Sequence, residues 1–191
     1  DIQYPSPLSF HLFSNGGALQ MTACSDTGIN LLQVVNLHKR SVPEIICIHY
    51  TYRMLLHLEE LHLRGKILHI DVKPDNWCIR CDPDIVSEVM LVDYGRAKDL
   101  DTISAENGGT SSSQRSLTGS VTAEDLECVA MRENREWCFD VDCYGLCVTA
   151  HTLLFGEYMH IEQQHKGNDG SMRGWKLRKP LKRYWQTPLW C

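Results

Sequence analysis

The chain has 191 residues, 43% of them hydrophobic, and a formal net charge of -5 at neutral pH. That length supports one well-formed core, the acidic balance leaves no electrostatic footprint for nucleic acid or an anionic membrane, and no run approaches the ~18 apolar residues of a membrane span. Asp1-Ile2-Gln3-Tyr4-Pro5 lacks the basic and apolar regions of a signal peptide, and nine cysteines, an odd number set inside apolar segments, fit a reduced cytosolic or nuclear chain better than a disulfide scaffold.

Two apolar-rich runs, Leu8 to Phe13 and Ala18 to Cys24, flank Ser14-Asn15-Gly16-Gly17, residues that tolerate positive φ, and this predicts a hairpin. No G-x-G-x-x-G or G-K-[ST] surrounds Gly16-Gly17, so the pair reads as a plain turn and not as a phosphate loop. Asp26-Thr27-Gly28 then breaks the strand, and Leu31 to Leu37 starts a short helical pattern. Pro43-Glu44 opens the clearest helix, because proline is tolerated in the first turn and Glu44 suits the positive end of the dipole. Ile45, Ile48, Tyr52, Leu55, Leu56 and Leu63 recur at three- and four-residue steps and predict its buried stripe. Gly65 is placed to end the helix in the left-handed conformation, after about 33 Å counted from Pro43 to Arg64. His57 and His62 are five apart, the wrong spacing for a shared metal face, and read as ordinary partly buried imidazoles.

A short strand, Lys66-Ile67-Leu68, leads into His69-Ile70-Asp71-Val72-Lys73-Pro74-Asp75-Asn76, which reads H-x-D-x-K-x-x-N, and Asp93-Tyr94-Gly95 follows. Two carboxylates and an amide at this spacing are what metal-assisted phosphoryl transfer requires: one carboxylate orients and deprotonates a hydroxyl, while the amide and the second carboxylate hold Mg²⁺ on the ATP phosphates. Lys73 puts a cation where the moving phosphoryl group sheds charge. Trp77 to Arg80 and Val89 to Val92 look like two strands of a hairpin, whose pairing brings Asp93 back beside Asn76. Cys78-x-x-Cys81 has the spacing of half a zinc ribbon, but Cys138, Cys143 and Cys147 form no second pair of that kind. Asp82-Pro83-Asp84 reads as a turn, so packing is the preferred role for the two thiols.

Residues 99 to 125, with Gly108-Gly109-Thr110-Ser111-Ser112-Ser113 at their centre, have the composition of a solvated loop without a core, and their Ser/Thr density also permits regulation by phosphorylation. Val141 to Phe155 is nearly all apolar and ends at Gly156, which predicts a helix buried on most sides. Asp142 inside it must be hydrogen-bonded, with backbone N–H groups as the expected partners. Residues 161 to 174 are polar and Gly-rich. The tail from Trp175 to Cys191 mixes basic and aromatic residues, which in this acidic chain reads as an amphipathic helix of a larger domain in preference to a nucleic-acid surface.

In this order, the long helix, the H-x-D-x-K-x-x-N loop, the strand pair, D-Y-G and Asp142-x-x-Gly145 resemble the C-terminal lobe of a eukaryotic protein kinase. Leu31 to Leu37, Asp71 to Trp77 and Trp137 through Met159 resemble more narrowly the Bub family of mitotic spindle-checkpoint serine/threonine kinases, over most of residues 19 to 160. The resemblance implies an α+β fold, mainly helical, with a remnant of the N-terminal lobe and hinge over 1–30, the lobe core over 31–160 and the start of further helices over 161–191. It implies Asp71 as catalytic base, Lys73 as catalytic phosphate contact, Asn76 and Asp93 as Mg²⁺ ligands on ATP, and Asp142 as the structural tie between loop and core. Protein substrates from chromatin or the checkpoint, kinetochore partners and a nuclear, centromeric location are the further expectations.

The chain departs from the family pattern at Ile70, where an Arg is usual, at Tyr94, where a Phe is usual, and at Cys128-Val129-Ala130, which lacks the carboxylate of Ala-Pro-Glu. No Gly-rich loop or V-A-I-K lysine precedes residue 8, so the chain is expected to be part of a kinase gene product that binds ATP poorly alone. A checkpoint pseudokinase scaffold and a small-molecule kinase of the aminoglycoside or choline type are the competing readings. Intact Asp71, Lys73, Asn76 and Asp93 argue against the first, and Lys73 with the Asp142 helix against the second.

Overall fold

Two helices bury their apolar sides against each other and against a two-stranded ribbon, and the loop from His69 to Asn76 is bonded to the start of the second helix. The fold comes from a computed structural model that describes residues 2, 4–24, 28–38, 42–82, 85–102, 116–165, 172–182 and 190, except the side chains of 81–82, 85–87, 165, 172 and 173. Strands β1 (Pro7–Phe13) and β2 (Gly16–Met21) form the expected hairpin, with Phe13 paired to Gly16. The turn is therefore only Ser14-Asn15, and neither Gly16 nor Gly17 needs positive φ. Helix α1 (Leu31–Leu37) is fixed at its start by a capping box: the Asn30 side chain accepts from Gln33 N, and the Gln33 side chain accepts from Asn30 N, both at 2.9 Å.

Helix α2 (Glu44–Glu60) corrects two expectations. Its buried residues are Cys47, Tyr50, Met54, His57 and Leu58, whereas Ile45, Tyr52, Leu55 and Leu63 of the predicted stripe are exposed. Both sets have helical spacing, and the later helix Asp140–Phe155 packs on the side where small Cys47 and unbranched Met54 allow close approach. The helix then widens into a π-type turn, Leu61–Gly65, and the left-handed residue that closes it is Lys66 (φ 52°), one place later than predicted. The wider turn carries one more residue, which moves the left-handed position past the glycine.

Strand β3 (Ile67–Leu68) pairs with β6 (Lys98–Asp99), so the start of the 99–125 loop is anchored, and Leu100 just after it is buried. Strands β4 (Trp77–Asp82) and β5 (Ile85–Leu91) pair antiparallel with Trp77 opposite Leu91. Asp26, Thr27, Pro83, Asp84 and the Gly108–Ser113 stretch lie outside the described residues, and with them parts of the strand break, the turn and the loop read from sequence.

Helix α3 (Val129–Arg132) precedes α4 (Asp140–Phe155), which is buried over eleven of its residues and closed by left-handed Gly156 (φ 73°), as the sequence predicts. Beyond it, β7 (Ile161–His165) and β8 (Met172–Leu177) form a hairpin, so Trp175 to Leu177 are strand where the tail was read as helix. Trp175 is fixed there from outside, donating Nε1 to Glu133 Oε1 at 2.8 Å under the Arg132 guanidinium. Residues 183–189 and 191 of the tail lie outside the described residues.

Candidate active site

The loop from His69 to Asn76 is held from below by one carboxylate. Asp142, fully buried in the first turn of α4, accepts from His69 N at 2.7 Å on Oδ2 and from Ile70 N at 2.7 Å on Oδ1. His62, from the π-type turn after α2, donates Nε2 to the same Oδ2 at 2.9 Å. These three donors satisfy the acid that the sequence left needing partners. The backbone they hold is unusual, because Ile70 is β-branched and sits at φ 67°. Gly145, one turn along α4, lets the loop lie directly on the helix: a Cβ there would stand 2.3 Å from Val72 O.

Above this support the side chains of Asp71, Lys73 and Asn76 converge. Asp71 is 7% exposed, and its Oδ2 accepts from Lys73 Nζ at 2.8 Å and from Asn76 Nδ2 at 3.2 Å. Asn76 Nδ2 also donates to Asp71 O at 2.9 Å, which spends the amide nitrogen on the loop and leaves the amide oxygen as the atom for a cation. The β4–β5 register then delivers the second motif, since Val92 N donates to Asn76 O at 2.9 Å and Asp93 is the next residue. Asp93 is exposed, left-handed at φ 65°, and caps the turn Tyr94–Arg96 through Gly95 N at 3.4 Å.

His69 couples the two motifs. It is fully buried, its Nε2 lies 3.1 Å from Val92 O, and its Nδ1 lies 3.4 Å from Asp71 N. Burial pushes the imidazole below its ordinary range, against the pull of Asp142. A neutral ring that donates from Nε2 to Val92 O and accepts at Nδ1 from Asp71 N satisfies both contacts. Tyr94 packs edge-on against that ring at 4.7 Å between centroids, and its hydroxyl has no hydrogen-bond partner among the described residues.

The oxygens of Asn76 and Asp93 suit a hard divalent cation that takes the rest of its shell from phosphates and water. Among the described residues no group of three or more His, Cys, Asp or Glu is arranged to hold a metal ion, and the Cys81 side chain lies outside them. Two participants were missed in the sequence. His62 reads as an ordinary imidazole because its partner is 80 residues away. Tyr158, just after α4, donates to Asp75 Oδ2 at 3.0 Å and so ties the turn Pro74–Asn76 to the far end of that helix. A histidine ahead of a loop that needs an acid was the available signal for the first, and nothing local marks the second.

The family model for the protein kinase domain matches residues 14–186. The mitotic checkpoint serine/threonine-protein kinase BUB1 of Arabidopsis thaliana is 36% identical over 165 residues, covering 79% of this chain and 29% of that protein. Its mouse counterpart is 29% identical over 192 residues, covering 95% of this chain and 16% of that protein. The chain thus spans less than a third of the length of these curated relatives. The crystal structure of the BubR1 kinase domain superimposes with a TM-score of 0.76 at 28% identity, covering 98% of this chain and 53% of that one.

Proposed function

Since the chain belongs to the protein kinase domain family, in a Bub-like branch, we propose that it carries the catalytic loop of a serine/threonine protein kinase of the mitotic spindle checkpoint. The observation that carries this reading is the closed contact set of Asp71, Lys73 and Asn76, with Asp93 delivered next to it by the β4–β5 register.

In this reading Asp71 Oδ accepts the proton of a substrate Ser or Thr hydroxyl and aims its oxygen. Asn76, through the pair of bonds from its Nδ2, fixes the Asp71 carboxylate and turns its own oxygen outward. Lys73, now on Asp71 at 2.8 Å, is long enough to share its charge with a phosphoryl oxygen. Asn76 Oδ1 and the Asp93 carboxylate are the ligands for Mg²⁺, and ATP·Mg²⁺ supplies the phosphoryl group. Asp142, His62 and Gly145 bind nothing in the reaction and hold the loop in shape. Chromatin or checkpoint proteins are the proposed substrates, and the kinetochore of the nucleus the proposed place of work.

The test uses the full-length protein with a histone-type substrate. Asp71→Asn is expected to lower kcat by roughly 10² to 10⁴ with little change in nucleotide KM, and Asp93→Ala to abolish Mg²⁺-dependent ATP binding without loss of fold. Unchanged phosphorylation by Asp71→Asn refutes the assignment, whereas a wild-type protein that binds ATP·Mg²⁺ but transfers nothing supports a scaffold.

A further inference from the structure

Where the β7–β8 hairpin returns to the end of α4, cationic side chains gather around a cavity. Its volume is about 390 Å³, and His151, Glu157, Tyr158, His160, Arg178 and Lys179 line it. Elsewhere the charges balance: the cavity between Tyr4 and Tyr94 and the groove beside Ile2 both set Arg64 against Glu60. Here a single carboxylate meets a guanidinium, an ammonium and two imidazoles, on a chain whose net charge is -5.

The backbone brings these groups together. The register that pairs Ile161 with Leu177 sets His160 opposite Arg178, and Arg178 N donates to His160 O at 2.9 Å. Residues directly opposite in an antiparallel pair project from one face, so both side chains reach the same cavity. His151, on α4 and only 6% exposed, donates Nδ1 to Glu157 O at 3.1 Å and stacks on Phe155 at 4.2 Å between ring centroids. The Lys179 ammonium lies 5.7 Å from the centre of the same Phe155 ring. Among the described residues the Arg178 guanidinium makes no hydrogen bond or ion pair. Lys179 Nζ is held by Glu157 Oε1 at 2.7 Å, but both side chains are about half exposed, and a pair so placed is weak. Burial pushes the His151 imidazole below its ordinary range against the pull of Glu157, and Lys179 and His160 push the same way. An anion in the cavity draws the ring back toward its charged form.

We propose that this cavity binds a phosphate dianion, either free phosphate or the phosphoryl group of a phosphorylated serine or threonine. A phosphoryl group carries about −1.5 to −2 charge at neutral pH and three acceptor oxygens. Arg178 offers those oxygens a planar fork of N–H donors, Lys179 a compact point charge and His160 a ring N–H. The volume exceeds what a phosphoryl group needs and leaves room for the chain that carries it. Glu157 is the competitor: its carboxylate holds Lys179 and repels an incoming dianion. Tyr158, on the same wall, donates to Asp75 Oδ2, so the bound anion lies beside the residue that touches the turn Pro74–Asn76. This inference does not rest on phosphotransfer.

The full chain is titrated calorimetrically with inorganic phosphate and with an alanine-flanked phosphothreonine peptide, without Mg²⁺ and at constant ionic strength. Binding is expected. A peptide that binds tighter than phosphate assigns the dianion to a phosphorylated protein, and any other order assigns it to free phosphate. The double substitution Arg178→Gln, Lys179→Gln is expected to weaken binding at least tenfold, and Glu157→Gln to tighten it. All three side chains are exposed, so both variants are expected to melt like wild type. In proton NMR the His151 ring, assigned by its loss in His151→Gln, is expected to titrate at a higher pH in phosphate than in chloride. Absence of binding by both probes, an affinity that the double substitution leaves unchanged, or a His151 midpoint that phosphate does not raise overturns the proposal.

Discussion

Replacing Asp142 with Ala is expected to damage the protein in two separable ways. The change orphans two buried backbone donors, His69 N and Ile70 N, and removes the acceptor of His62 Nε2. An unsatisfied buried donor costs about 1–3 kcal/mol, so the two backbone groups alone amount to roughly 2–6 kcal/mol. For a chain of this size that corresponds to a melting temperature lower by roughly 5–20 °C. The second effect falls on activity. Ile70 at φ 67° occupies a conformation that costs a β-branched residue about 1–2 kcal/mol, and the Asp142 bonds hold it there. Without them the peptide is free to relax, which carries the adjacent Asp71 out of line and is expected to lower kcat by at least about 10². Asp142→Asn keeps one oxygen but turns an amide N–H toward a backbone N–H, because each carboxylate oxygen receives its own backbone donor. It is therefore expected to fall between Ala and wild type. Thermal unfolding followed by circular dichroism, paired with single-turnover kinetics, separates the two effects. An Ala variant that melts within about 1 °C of wild type, or one that is destabilised yet fully active, refutes the reasoning.

Gly145→Ala places a Cβ 2.3 Å from Val72 O and 2.7 Å from Val72 Cβ, and is expected to destabilise by about 3 kcal/mol or more, read by chemical denaturation. Lys66→Gly relieves a left-handed residue at φ 52°, and is expected to stabilise by about 0.5–1 kcal/mol in the same assay after the added chain entropy is subtracted. His57 is buried with both nitrogens unpartnered among the described residues, and burial pushes its imidazole down to about 4 from 6.5. Between those values the unfolded chain binds a proton that the folded chain refuses, so stability is expected to fall as pH drops from 6.5 to about 4, by about 3 kcal/mol in total. His57→Phe is expected to remove that slope in urea titrations at pH 7 and pH 4.5.

The contact set of the His69–Asn76 loop was legible because it is local: Asp71, Lys73 and Asn76 lie within six residues and meet through short contacts. The β4–β5 pairing was legible because strand-forming residues begin right after Asn76 and end at Asp93, and the observed register meets that expectation. Asp142 was legible as a polar residue in an apolar helix, which demands a partner whatever the fold. The face of α2 was not. Ile45, Tyr52 and Leu55 satisfy helical periodicity as well as Cys47, Tyr50 and Met54 do, and only the neighbouring helix decides which set is covered. The left-handed stop moved from Gly65 to Lys66 because a widened turn leaves no trace in local propensity. Tyr158 and His62 escaped for the same reason as each other: their partners are 83 and 80 residues away.

The β4–β5 ribbon has one more consequence, for how the gene can change length. Its near end pairs Trp77 with Leu91 and hands the chain to Asn76 and Asp93, while its far end pairs Asp82 with Ile85. Residues added between Asp82 and Ile85 lengthen the tip and leave the near end in register. A single residue lost between Trp77 and Arg80, or between Val89 and Leu91, reverses which side chains face the core, because strand side chains alternate. Trp77, Ile79 and Leu91, all nearly fully buried, are then turned outward and Asp93 arrives one place out of step. Length variation is thus expected to be tolerated at one end of this ribbon and lethal to the site at the other, a pattern that an indel scan read by expression level and ATP binding would expose.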